Sequence, residues 1–385
     1  MKTKFSQDMF GRLPEELQLQ IIKLSPDLSS LWSLAQASST VGGVLDRSPL
    51  EIVEAVLELT VPLQTRRLMR AVLRGRALCF PASLSEARRI ATIDSTAATD
   101  GTPPLDSDQV RVVRSFLATA ENIHAWSHAC LDHLIKRSME LRPSTLVRLG
   151  TGQSCQETFQ RAESHDDHLP RHTGPPSWVE EQRMTKAFWR LQFFIELQRA
   201  GESGHLGAHW PGQDVDMLLT STLGEFYEVF DFERQQILTA YDFFLTITSR
   251  PGTMQISLRD NAHGLPTILQ TEGTISNLMG PCAEQPSFGF GEDTFHQGPE
   301  HLDTTPMSYH FQDIMSGHDP KGSPLMGIPF EPYRKFGFAI WDNKRMIDLG
   351  LRDPKSKSIF KNRTFYYFRW RSILTEEELA LGQSQ

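Results

Sequence analysis

The chain has 385 residues, 39% of them hydrophobic, and its 39 Lys and Arg against 47 Asp and Glu leave a formal charge of −8. That length gives room for about two or three domains with a sizeable core, and the acidic balance argues against a surface built mainly for nucleic acid or an anionic membrane. The four cysteines, Cys79, Cys130, Cys155 and Cys282, are scattered without a CxxC pair, so neither a disulfide framework nor a cysteine-rich zinc site is indicated and a reducing compartment fits best.

The N-terminus, MKTKFSQDMFGRLPEE, has no apolar h-region, and no apolar run has the length needed to cross a bilayer. Secretion and membrane insertion are therefore not expected, and a cytoplasmic or nuclear location is.

From Leu13 the pattern reads as two short helices with an abrupt turn between them. Pro14 suits a helix start because its missing N–H would have had no partner, and Glu15 and Glu16 sit well against the positive end of the dipole. Leu17, Ile21 and Leu24 follow at i, i+4 and i+7, flanked by Leu13 and Ile22, while Gln18, Gln20 and Lys23 are assigned to the other side. Pro26 stops the first helix, Asp27 or Ser25 can cap the second, and Leu28, Leu31, Leu34 and Ala35 repeat the helical spacing. A segment of this length covers too little of its own surface to bury so many aliphatics. A partner surface is implied.

In its residues Leu13-Pro14, Glu16-Leu17, Ile21-Ile22, Asp27-Leu28, Leu31 and Leu34 the stretch resembles the F-box. The spacing from Ile22 to Asp27 is compressed, and Ser38, Ser39, Thr40 and Val41 stand where a basic residue and a tryptophan often end the motif. This form looks like the divergent F-box variant of filamentous-fungal proteins. The segments WVEEQRMTKAFWRLQ and YRKFGFAIWDNKRM also look like recurrent parts of the C-terminal regions of those proteins. The resemblance implies docking on the Skp adaptor, and through it a cullin, by Leu13, Pro14, Leu17, Ile21, Ile22, Leu28, Leu31 and Leu34. It also implies presentation of a protein target to a ubiquitin ligase, with no catalysis and no cofactor in this chain. The alternative is an ordinary N-terminal helical hairpin packed on its own core.

Further along, Ser48-Pro49-Leu50-Glu51 has the form of a capping box and opens a helix. Pro62 begins another helix, TRRLMRAVLRGR, whose Arg66, Arg67, Arg70, Arg74 and Arg76 read as a solvated face rather than a phosphate site. Ser83-Leu84-Ser85-Glu86 opens a third helix. Residues 94–106 read as a linker, and Val110 to Met139 as a helix pair ending before Pro143. Residues 150–177 read as a long surface loop.

Ser177-Trp178-Val179-Glu180 is another capping box, and the helix behind it is deeply buried. Two aromatic-rich helical segments, VDMLLTSTLGEFYEVFDF and ERQQILTAYDFFLTITS, follow it. From Pro251 to about Pro332 irregular structure is expected, with a short helix near Tyr309 to Met315. PYRKFGFAIWDNKRMIDLGL reads as a helix, and FYYFRWRSIL fits an edge strand equally well.

The fold class is therefore mainly α: an N-terminal hairpin, then a larger irregular helical part with long loops and no repeat period. The organisation expected is 1–60 for adaptor docking, 61–142 helical, 143–177 loop or linker, 178–375 a C-terminal helical domain and 376–385 a tail. As an enzyme the chain offers only His165-Asp166-Asp167-His168, whose His165, Asp166 and His168 suggest a metal-dependent hydrolase, and His205 with His209 in a glycine-rich loop. Ser287-Phe288-Gly289-Phe290-Gly291 meets neither a dinucleotide fingerprint nor a phosphate loop. Trp189 and Trp341, like Cys79 and Cys130, are expected in the core.

Overall fold

Pro14 stands at the N-cap of α1 (Glu15–Lys23), and its carbonyl accepts from the amides of Leu17 and Gln18 at 3.1 Å. The structure, a computed structural model, describes residues 9–90, 109–144, 146–149, 158–161, 170–207, 210–227, 231–248, 311, 325, 327–352 and 363–381. It is mainly α-helical, as the periodicity predicts.

Asp27 caps α2 (Leu28–Ala37) by accepting from the Ser30 amide at 2.6 Å, and Ser38 caps α3 (Ser39–Arg47) through the Val41 amide at 3.2 Å. The expected pair of helices is thus followed at once by a third. In α4 (Pro49–Thr60) Ser48 makes no side-chain capping bond, and the Glu51 carboxylate pairs with Lys23, 2.5 Å away. α5 (Leu63–Arg76) and α6 (Leu84–Ile90) complete the first run of helices.

The pair expected between residues 110 and 142 is one helix, α7 (Gln109–Met139). Its 31 residues include no glycine or proline, so nothing in the backbone interrupts it across the gap in large apolar positions between Leu117 and Ile123. Part of the expected loop is strand: β1 (Leu146–Leu149) pairs antiparallel with β2 (Thr158–Arg161), Leu146 opposite Arg161. Four-residue strands are too short to leave a readable alternation.

α8 (Trp178–Glu202), α9 (Gly212–Thr220), α10 (Leu223–Phe226) and α11 (Asp231–Thr248) follow. The Ser177 box forms in full: Ser177 Oγ accepts from the Glu180 amide at 3.4 Å, and Glu180 Oε2 from the Ser177 amide at 2.9 Å. Thr222 and Glu225 make a further box that the sequence reading passed over.

The block from Pro332 to Leu351 is two short helices, α12 (Glu331–Arg334) and α13 (Asn343–Asp348), rather than one. Gly337 separates them at φ +77°, where an added Cβ would lie 2.3 Å from the Trp341 ring, so both the turn and the tryptophan's seat require glycine. FYYFRWRSIL is helical in α14 (Arg363–Ser372), and α15 (Glu376–Leu381) ends the described chain. The expected irregular stretch from Pro251 and the short helix near Tyr309 lie outside the described residues, apart from Phe311, Leu325 and residues 327–332.

The chain divides into two units, the first made of residues 1–128, 185–229 and 246–280 and the second of 129–184, 230–245 and 281–385. In the first, the core runs between α7 and α8, with Phe116 on Trp189 at 5.5 Å and Trp126 on Phe188 at 6.4 Å. Arg76 adds a two-nitrogen grip on Glu196 at 2.7 and 2.9 Å.

In the second unit, Tyr333, Phe338 and Trp370 form an aromatic cluster with Phe311. Trp341 lies fully inside, its Nε1 donating to the Phe336 carbonyl at 2.6 Å. Arg345 closes the N-terminus of α8: its Nε donates to both oxygens of the buried Glu180 at 2.9 and 3.0 Å, and Nη2 to the Pro175 carbonyl at 2.7 Å.

Candidate functional site

α1 carries two side-chain rows of identical spacing, Leu17, Ile21 and Leu24 in one, Gln18, Ile22 and Ser25 in the other, one residue and therefore about 100° apart around the helix. The second row faces inward. Ile22 is fully buried, Ser25 Oγ donates to the Ile22 carbonyl at 2.7 Å, and the buried Gln18 amide donates to the carbonyls of Phe10 at 2.9 Å and Leu13 at 2.7 Å. Gln18, assigned from sequence to the side opposite the apolar row, thereby ties the preceding turn (Met9–Arg12) to the helix.

The first row faces outward. Leu17, Ile21 and Leu24 are 47%, 42% and 71% exposed. Ion pairs flank the row, Lys23 with Glu51 of α4 at 2.5 Å and Glu15 with Arg47 of α3 at 2.8 Å. Large aliphatics at i, i+4 and i+7 turned to solvent form a continuous apolar strip, which matters more than isolated exposed leucines.

The eight residues predicted for docking separate into three groups. Pro14, Leu17 and Ile21 are exposed; Leu13 and Leu34 are half-buried; Ile22, Leu28 and Leu31 are buried in the chain's own core. The row that projects is completed by Leu24, the most exposed of the set. α2 is bound to α7 by the half-buried Trp32, which donates to Glu121, and burial raises the Glu121 carboxyl above the usual range.

Charge is sparse on the projecting strip itself and concentrated at its N-terminal edge, where Glu15 and Glu16 are exposed. The strip can exclude water from a complementary apolar surface. It has no nucleophile, base or ligand set.

The remaining candidates resolve simply. His165, Asp166 and His168 lie outside the described residues, as do His209 and the segment from Ser287 to Gly291. His205 is exposed in a turn, its Nδ1 2.8 Å from Ser203 Oγ. Among the described residues no group of three or more His, Cys, Asp or Glu is placed to hold a metal ion. Likewise no helix is long and apolar enough to cross a membrane.

Trp189 and Trp341 are buried. Cys130 is buried as expected, and there burial raises its thiol well above the ordinary value. Cys79 is exposed, because the chain reverses immediately after α5 and carries it out of the helix. Arg66, Arg67, Arg70, Arg74 and Arg76 are each half-buried rather than solvated.

Comparison with protein-family models, with curated proteins and with solved structures finds no match.

Proposed function

We propose that the chain is a substrate receptor of a Skp, cullin and F-box type ubiquitin ligase, with α1 as the element that docks on the Skp adaptor. The observation that carries this reading is the outward row Leu17, Ile21 and Leu24, held away from the core by the inward row of the same helix. The F-box-like order of residues from Leu13 to Leu34 supplies the identity of the partner.

Docking belongs to Pro14, Leu17, Ile21 and Leu24, with Leu13 and Leu34 at the margin. Ile22, Leu28 and Leu31 build the platform that holds them. In this role the chain performs no chemistry; tethering raises the effective concentration of target lysines near the charged ubiquitin carrier. Covering a half-exposed aliphatic contributes about 1 kcal/mol, scaled from 1.5 to 3 kcal/mol for full burial, so three together account for a hundredfold or more in affinity.

A second reading draws on the other half of the motif. Ile22 and Leu31 are fully buried within the chain, as in a helical interaction protein outside any ligase. One experiment separates the two: co-purification of the full chain with a Skp adaptor. The receptor reading expects stoichiometric recovery that Leu17→Asp or Ile21→Asp abolishes while circular dichroism stays unchanged. Absence of recovery with the unmodified chain, or recovery that ignores both substitutions, rejects it in favour of the second.

A further inference from the structure

A pocket of about 230 Å³ lies between α5 and the residues that follow it. Ala71, Phe80, Pro81 and Ile90 give it apolar walls, Arg67, Arg70 and Arg74 line it from α5, and Glu86 places a carboxylate on its lining. We propose that this pocket binds a neutral aromatic ring carrying one hydrogen-bond donor, a phenol or an indole, with the ring against the apolar walls and the donor on Glu86.

Local backbone chemistry makes the pocket. α5 ends in a Schellman turn, in which the Leu78 amide donates to the Gly75 carbonyl at 3.0 Å and the Cys79 amide to the Arg74 carbonyl at 2.9 Å. That turn puts Leu78 at φ 60°, a left-handed conformation unusual for leucine, and Phe80 comes to lie across Gly75, where an added Cβ would meet its ring at 3.2 Å.

The segment after the turn is fastened. The Trp210 indole donates to the Pro81 carbonyl at 2.5 Å, and Asp214 accepts from the Leu84 amide at 3.2 Å. The apolar walls are thus set before any ligand arrives, which lowers the ordering cost of binding. The volume is below that of pockets for drug-sized ligands, as suits one ring or two fused rings.

Glu86 supplies the polar anchor. Its Oε2 accepts from the Ala82 amide at 2.6 Å, while Oε1 accepts no hydrogen bond among the described residues. A half-buried carboxylate oxygen without a donor favours a ligand N–H or O–H, through a bond of the stronger, charge-assisted kind. The arginines select for neutrality. Arg70 holds Glu54 at 2.5 Å with Glu58 at 3.4 Å, and Arg67 and Arg74 are engaged within the chain as well, so none is left over to neutralise an oxyanion. A cation would meet three guanidinium groups at once. A neutral ring remains, and a guanidinium whose N–H edge is occupied still offers its flat face to one.

Cys79, exposed on the lining, reports occupancy. Indole and p-cresol are titrated by calorimetry into the full chain, each beside a match without the donor, benzofuran and 4-methylanisole, and beside benzoate and benzylamine as charged rings. Iodoacetamide labelling of Cys79 is followed by peptide mass spectrometry. The expected result is saturable binding of indole, p-cresol or both that slows labelling, about tenfold tighter than the donor-free match. N-acetyltryptophanamide and N-acetyltyrosinamide identify the source: amides that bind at least as tightly as the bare rings point to side chains of a polypeptide, weaker ones to free small molecules. Glu86→Gln, which puts an amide N–H where the free oxygen stands, lowers the affinity of the donor rings to that of their matches and leaves the matches unchanged. Should that variant unfold, Ala82→Phe, at an exposed lining residue, fills the pocket and must abolish binding. The proposal is overturned by no saturable binding of either donor ring, by donor-ring binding unchanged in the folded variants, by matches as tight as the donor rings, or by benzoate or benzylamine binding more tightly than both.

Discussion

Leu17 and Ile22 are five positions apart in α1 and chemically near-equivalent, yet one is 47% exposed and the other fully buried. Under the proposed receptor role, their replacements separate folding from docking. Leu17→Ala removes atoms that already touch water and is expected to change stability by less than about 0.5 kcal/mol, whereas Ile22→Ala opens a cavity and costs about 2 to 4 kcal/mol. Adaptor recovery should respond the other way, falling for Leu17→Ala at concentrations where Ile22→Ala is still folded. Urea denaturation of both variants beside the pull-down checks this, and equal destabilisation would refute the assignment of the two rows. The spacing of Leu17, Ile21 and Leu24 was legible in the sequence. Which row faces the core was not, because Gln18, Ile22 and Ser25 have the same period, and the decision rests on Gln18 finding the carbonyls of Phe10 and Leu13 inside.

Among elements, the N-terminus of α8 shows what a correctly read local signal leaves out. Ser177 and Glu180 were recognisable as a capping box from their spacing alone, and the box forms. Nothing local announces that Arg345, 165 residues later, places its guanidinium on the same carboxylate and over the Trp341 ring at 4.9 Å. Glu180 is buried, so burial first and Asp342 second push its carboxyl up, while the Arg345 bonds pull it down. Removing one partner of such a buried pair leaves an uncompensated charge, for which about 3 to 5 kcal/mol is expected. Arg345→Met should therefore destabilise the second unit by that amount, and Glu180→Gln added to it should restore a large part. A double variant no more stable than Arg345→Met would mean that the guanidinium acts through its bonds to Thr173, Gly174 and Pro175. The same limit explains α7 and α13. Helical identity is written in neighbouring residues, but helix continuity and the turn at Gly337 depend on partners such as Trp341 that only the assembled fold supplies.

At the scale of the whole molecule the histidine pair of the first unit and three carboxyls of the second carry proton linkages of opposite sign. In the first, burial and then His124 lower His128 to about 4, and burial lowers His124 as well, Asp27 opposing both shifts; the two rings meet at 4.4 Å. In the second, burial raises the carboxyls of Glu180, Asp242 and Asp132. A histidine with a lowered folded pKa is neutral in the fold while the unfolded chain takes up a proton near pH 6.5. Its contribution is therefore complete above that value and is lost as pH falls toward 4. A carboxyl with a raised folded pKa behaves in reverse, since the unfolded chain releases its proton first and stability declines as pH rises past the ordinary carboxylate value. Acidification from pH 7 to 5 should thus weaken the fold around the histidine pair, whereas the raised carboxyls of the second unit respond in the opposite direction. Hydrogen exchange read by mass spectrometry can follow both in one sample, because each unit reports through its own peptides. Protection in α2 and in α7 before His128 is expected to drop between pH 7 and 5, after correction for the intrinsic exchange rate, while protection around Glu180 and α13 holds or rises. His124→Gln with His128→Gln should abolish the drop in the first unit and leave the second unaffected. An acid-induced loss that persists in the double variant would move the linkage away from the histidine pair.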